Sequence, residues 1–159
     1  MAPAFRKTIA VFEIVGGVSG PCFVAYELFT NPVTAQGLVG VVIVTAIFIF
    51  ALFAGVAFWK DRRSGYICSA VVQLIQLPKI LSATLAFKMS FGFDFSVMLI
   101  SVPERNSFGV GFNFGLLSDY LLRVGDSSLP YGLGVSLVSC IFLLAFVDAL
   151  FRRKIPVHA

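Results

Sequence analysis

The hydrophobic positions of this chain gather into four long runs, at residues 8–30, 37–59, 65–88 and 131–151, separated by short polar breaks and by one long interval of different pattern. A hydrocarbon core about 30 Å thick takes roughly 20 helical residues at about 1.5 Å each. All four runs meet that length. The pattern therefore predicts an all-α polytopic membrane protein: a single membrane domain, residues 1–159, built as a four-transmembrane-helix bundle with an extracytoplasmic insertion at 89–130.

Inside the insertion the period changes. The run from Phe91 to Leu99 alternates with period two, as does the run from Phe108 to Phe114, and Pro103-Glu104-Arg105-Asn106 between them has turn composition. Two alternating runs around a turn predict a β-hairpin; an interfacial or re-entrant helix is the alternative. Alternation puts Phe91, Phe93 and Phe95 on one face of the first run and Phe108, Phe112 and Phe114 on one face of the second. A lone hairpin is marginal in water, so this phenylalanine surface is expected to rest on the helix tops or in the outer headgroup region. Residues 116–124 return to helical spacing and predict a short helix with Ser118 as its cap.

Composition agrees with a membrane setting. Hydrophobic residues make up 58% and charged residues 13%, against about 25% charged in soluble domains, and the mean hydropathy is +0.96. The net charge of +4 does not mark a nucleic-acid binder, because its distribution follows topology. Arg6 and Lys7 precede the first run, Lys60, Arg62 and Arg63 follow the second, and Arg152, Arg153 and Lys154 follow the fourth. The positive-inside rule makes that side, with both termini, cytoplasmic. Compact loops favour a bacterial inner membrane.

The third run is the least lipid-like. Ser69, Gln73, Gln76, Lys79 and Ser82 recur at helical spacing and form a polar stripe, with Pro78 at mid-span. Lys79 would lie roughly 20 Å above the basic turn, where a lysine costs at least about 2.5–3.5 kcal/mol unless it finds a partner or water. Glu27 in the first run is its expected counter-ion, so Lys79, Gln76, Gln73 and Glu27 form a candidate polar intramembrane site. Glu13 and Asp148 are expected at the cytoplasmic surface, within reach of Arg6, Lys7, Arg152 and Arg153. Gly16 and Gly20 form G-x-x-x-G, a close-packing motif, and Pro21 should kink the first helix.

Catalytic and cofactor chemistry has little to stand on. Cys22, Cys68 and Cys140 fall in different runs with no C-x-x-C, and the single histidine is His158. No metal, phosphate-loop or dinucleotide motif occurs, and Lys79 with Ser82 is the one base–nucleophile pairing, at a spacing that chance supplies often. No cofactor is implied. The leading expectation is a non-enzymatic membrane protein surrounded by lipid and acting by association, as accessory subunit, scaffold or self-assembling unit. Its partner would be another copy or another membrane protein, held through the Phe-rich insertion. The alternatives are an oligomeric channel or transporter component with a polar path along the third span, and a lipid- or quinone-modifying enzyme.

Overall fold

The structure, a computed structural model, describes residues 1–30, 35–82, 84–102, 107–116, 118–124 and 131–154. Two of the four expected spans form helices of the expected length. Helix α1 (Pro3–Thr30) and helix α2 (Ala35–Trp59) are long and apolar enough to cross a membrane. They pack antiparallel through small residues. A Cβ on Gly17 would fall 2.5 Å from the Leu52 backbone nitrogen, and one on Gly20 would strike the Phe48 ring. Helix α1 continues through Pro21 to Thr30.

The other two runs are not transmembrane helices, and the fold is not an all-α four-helix bundle. The third begins as helix α3 (Arg63–Gln76), then becomes strands β1 (Pro78–Leu81) and β2 (Leu85–Ser90). Pro78 explains the stop: it lacks an N–H, and its ring clashes with the preceding helical turn. The chain leaves the helix at Leu77, whose carbonyl accepts the Ser136 N–H at 3.0 Å. The fourth run opens as strand β6 (Gly132–Ser136) and only then becomes helix α4 (Leu137–Lys154). The alternation Gly-Leu-Gly-Val-Ser is a strand pattern that the longer apolar run conceals.

The expected hairpin is present as β3 (Asp94–Val102) and β4 (Ser107–Gly115), paired antiparallel along their whole length. Its turn, 103–106, lies outside the described residues. The expected short helix at 116–124 is instead strand β5 (Asp119–Val124), whose six residues all pair with β2. A continuous strand partner outweighs helical spacing over so few residues. Ser118 caps nothing there; its hydroxyl donates to the Gly16 carbonyl at 2.6 Å.

The six strands form one antiparallel half-barrel in the order β4-β3-β6-β1-β2-β5. Register sorts its two faces. Ile80, Leu133, Leu99 and Val110 make one row across four strands, and Pro78, Val135, Val97 and Phe112 make another. Both rows lie on the outside. The inner rows that alternate with them are Lys79, Gly134, Met98 and Gly111, then Leu81, Gly132, Ile100 and Gly109. Glycine inside and bulk outside let a sheet curl tightly; a Cβ on Gly134 would overlap the Met98 side chain.

The helices hold the half-barrel at mid-height. Met89 and Phe91 join Val24, Val44, Phe48, Ala51 and Val72 in one core, and a second core joins Ile9 and Ala10 of α1 with Phe58, Tyr66, Phe146 and Ala149. The Phe-rich segment is therefore no flap on the helix tops. Phe91 sits edge-on to Phe48 at 5.2 Å, in the middle of α2, and Phe93 stacks on Phe12 at 5.8 Å.

Candidate functional site

The polar stripe of α3 faces inward and is fully engaged. Ser69 donates to Glu13 Oε2 at 2.6 Å, and Gln73 Nε2 donates to Oε1 of the same carboxyl group at 3.1 Å. Gln76 Oε1 accepts the Phe91 N–H at 3.2 Å, which fixes the chain where it enters the hairpin. Glu13 is thus a buried residue bridging α1 and α3, not a surface carboxylate beside Arg6. Arg6 pairs with Asp61 at 2.5 Å instead.

Lys79 continues the stripe in sequence but stands on β1, and its side chain is wholly buried. Its partner is Asp94 at 3.1 Å, not Glu27, and its ammonium also donates to the Met89 carbonyl. Asp94 in turn accepts from Ser136 Oγ at 2.5 Å. Ser136 is the last residue of β6 and the N-cap of α4: its Oγ accepts the Ser139 N–H at 3.2 Å. One hydroxyl so ties the carboxylate to a helix N-terminus, whose partial positive charge adds to that of Lys79. Desolvating both ions is costly, and these hydrogen bonds offset that cost. Beside the pair, among the described residues, the buried Ser96 and Ser139 hydroxyls meet no hydrogen-bonding partner.

Glu27 lies elsewhere, in the last turns of α1 within electrostatic reach of Tyr120. Gln73 thus meets Glu13, Gln76 meets the Phe91 N–H, and Lys79 meets Asp94 and the Met89 carbonyl. Sequence reading missed Asp94 and Ser136. Asp94 was hidden by its place in a Phe-rich alternation, and Ser136 by its apolar run; its position two residues after a Gly-x-Gly strand pattern and three before Ser139 was the available signal.

The six phenylalanines of the expected interaction surface also separate. Phe91 is core, and Phe93 and Phe95 are half-buried. Phe108, Phe112 and Phe114 stand exposed on the outer face of β4, with Phe95 stacked on Phe112 at 6.3 Å and Phe93 edge-on to Phe114 at 5.5 Å. Val110 lies on the same face of β4, and Leu99, Leu133 and Val135 extend it over β3 and β6. Gly16 of the G-x-x-x-G pair packs on the Phe91–Gly92 backbone and Gly20 on Phe48. Gly92 needs its glycine: φ is +80°, and a Cβ would fall 2.6 Å from the Phe12 carbonyl oxygen.

Among the described residues no group of three His, Cys, Asp or Glu side chains is placed to hold a metal ion, and the three cysteines are free and apart. No protein-family model matches the chain, and no curated protein or solved structure proves similar to it.

Proposed function

We propose that this chain is an integral membrane protein that acts by association. The α1–α2 hairpin crosses the bilayer, the half-barrel lies beside it at the same depth with the apolar outer face of β3, β4 and β6 toward the hydrocarbon, and its β4 side takes a protein partner. The observation that carries this reading is inverted polarity. Lys79, Asp94, Ser96, Ser136 and Gln76 are buried, while Phe108 is 81% and Phe112 70% exposed, with Leu133 and Val110 beside them. In water such a face is penalised by about 25 cal/mol per Å²; in hydrocarbon it is not. Contact of Met89 and Phe91 with Val44 and Phe48 sets the sheet against the middle of α2, so a bilayer crossed by α2 surrounds the sheet too.

Orientation follows from the basic end. Arg6 meets Asp61, and Lys7 lies 5.5 Å from the centre of the Trp59 ring, so the start of α1 and the end of α2 share one end of the molecule. Phe146 and Ala149 bring the last turns of α4 to Ile9 and Phe58 at that end. We place it, with both termini, in the cytoplasm of a bacterial cell. Gln73, Gln76 and Lys79 each end on an internal partner, which gives the polar-path reading no support.

The test is native mass spectrometry after mild detergent extraction, on the natural chain and on Phe112→Lys. The reading expects an oligomer or a co-purifying membrane protein for the natural chain and loss of that species in the variant at unchanged melting temperature. A natural chain that is strictly monomeric and alone contradicts it.

A further inference from the structure

The half-barrel has two edges, and they differ. Strand β5 is six residues long, opens on Asp119, which pairs with Lys88, and lays Tyr120 edge-on against Phe23 and Phe48. That edge is short, carries a charged residue near each end (Asp119 and Arg123) and is partly covered by helices. Strand β4 is nine residues long and contains no charge and no proline. Its register against β3 is unbroken, so no bulge bends it away. Among the described residues it has a strand neighbour on one side only. Its other side therefore presents a row of backbone N–H and C=O groups. Proteins ordinarily blunt such an edge with lysine, proline or a bulge, and in hydrocarbon an open edge is not tolerated.

The sequence of β4 says what fits there. Antiparallel pairing of β4 with itself about Gly111 sets Gly111 opposite Gly111, Val110 opposite Phe112, Gly109 opposite Asn113 and Phe108 opposite Phe114. Every outer residue then meets an apolar outer residue, and every inner residue a small or polar inner one. A slip of one residue would oppose outer to inner faces. A slip of two would leave Phe108 or Phe114 facing a position beyond the partner strand. The strand carries no charge, so no like charges meet in any copy pair. We propose that the β4 edge is the two-fold interface of a homodimer, in which two half-barrels join through β4 into one continuous antiparallel sheet. The contact is isologous, the commonest form of closed symmetry. This rests on the association reading above and names its partner: a second copy of this chain.

The experiment is thiol cross-linking in native membranes. Cys22, Cys68 and Cys140 are replaced by serine, and a single cysteine is introduced as Gly111→Cys, on the proposed axis, or as Leu133→Cys, equally apolar but two strands from the edge. A short bifunctional maleimide should convert most of the Gly111→Cys chain to a covalent dimer and leave Leu133→Cys monomeric. Co-expressed Phe108→Cys and Phe114→Cys chains with tags of different size should link to each other. A Leu133→Cys chain that links as well as Gly111→Cys overturns the β4 interface. So does a Gly111→Cys chain that fails to link while native mass spectrometry of the natural chain shows an oligomer or a partner; association then stands and only the edge assignment falls. A natural chain that is monomeric and alone removes both.

Discussion

Lys79 and Asp94 lie 3.1 Å apart on strands that do not touch: β6 runs between β1 and β3, and its Ser136 holds the carboxylate while capping α4. The pair locks three strands and one helix together in the inner layer. Removing one partner leaves a buried charge without compensation, which costs about 3–5 kcal/mol. Lys79→Met should therefore be strongly destabilised in detergent unfolding. Lys79→Met combined with Asp94→Asn should recover much of the loss, because no lone charge remains. If the single variant melts with the natural chain, the pair is not structural.

Two serines a strand apart should respond oppositely. Ser136 Oγ both donates to Asp94 and accepts from Ser139, so Ser136→Ala should cost about 1–2 kcal/mol, as loss of an N-cap does. Ser96 stands opposite Ser136 in the register, buried and without a partner for its hydroxyl among the described residues. Ser96→Ala removes an unsatisfied polar atom and should be neutral or stabilising. Equilibrium unfolding of the two variants checks the order.

The α1–α2 seam depends on backbone approach at Gly17. A Cβ there would sit 2.5 Å from the Leu52 nitrogen and 2.7 Å from its Cβ, and backbone gives way less readily than a side chain. Gly17→Val should cost at least about 1–3 kcal/mol as overpacking. Val18→Leu, on the exposed side of the same helix, should change little. Melting temperatures of the two variants in one detergent decide it.

Glu13 accepts from both Ser69 and Gln73 and so fastens α1 to α3. Glu13→Leu strands two buried donors and should cost about 1–3 kcal/mol. A double-mutant cycle with Gln73→Leu should give a coupling energy above about 0.5 kcal/mol, as contacting partners do. Additive losses would mean that the two side chains do not act on each other.

How far the sequence carried can be argued from these residues. Helices α1 and α2, both long and apolar enough to cross a membrane, were legible because apolar length is itself the signal. The β3–β4 hairpin was legible from alternation of Phe with Gly, Ser and Asn, and the stripe Ser69, Gln73, Gln76 from helical spacing. Alternation showed which residues share a face but not which face is buried, so the phenylalanines were expected on the helix tops when most of those in the strands point outward. The remaining strands were not legible for a different reason. Leu85–Ser90 and Asp119–Val124 become strands by pairing with each other, and Pro78–Leu81 by pairing with Gly132–Ser136 some fifty residues on. A short apolar run reads alike as helix or strand, and Pro78, placed at mid-span by helical reading, was in fact the boundary. The counter-ion of Lys79 was missed with the topology: depth along an ideal helix pointed to Glu27, whereas the sheet delivers Asp94.

The central claim is that the outer face of the half-barrel sits in hydrocarbon at the depth of α2, and fluorescence quenching measures this directly. Trp59→Phe removes the one native tryptophan, and Phe112→Trp or Val42→Trp then places a single reporter on the sheet face or on the exposed side of α2. In vesicles of acyl-brominated lipid the account predicts strong quenching of both reporters and little quenching of either by aqueous iodide. Iodide quenching of the Phe112→Trp reporter, with no response to the brominated chains, would put the sheet in water and contradict the account.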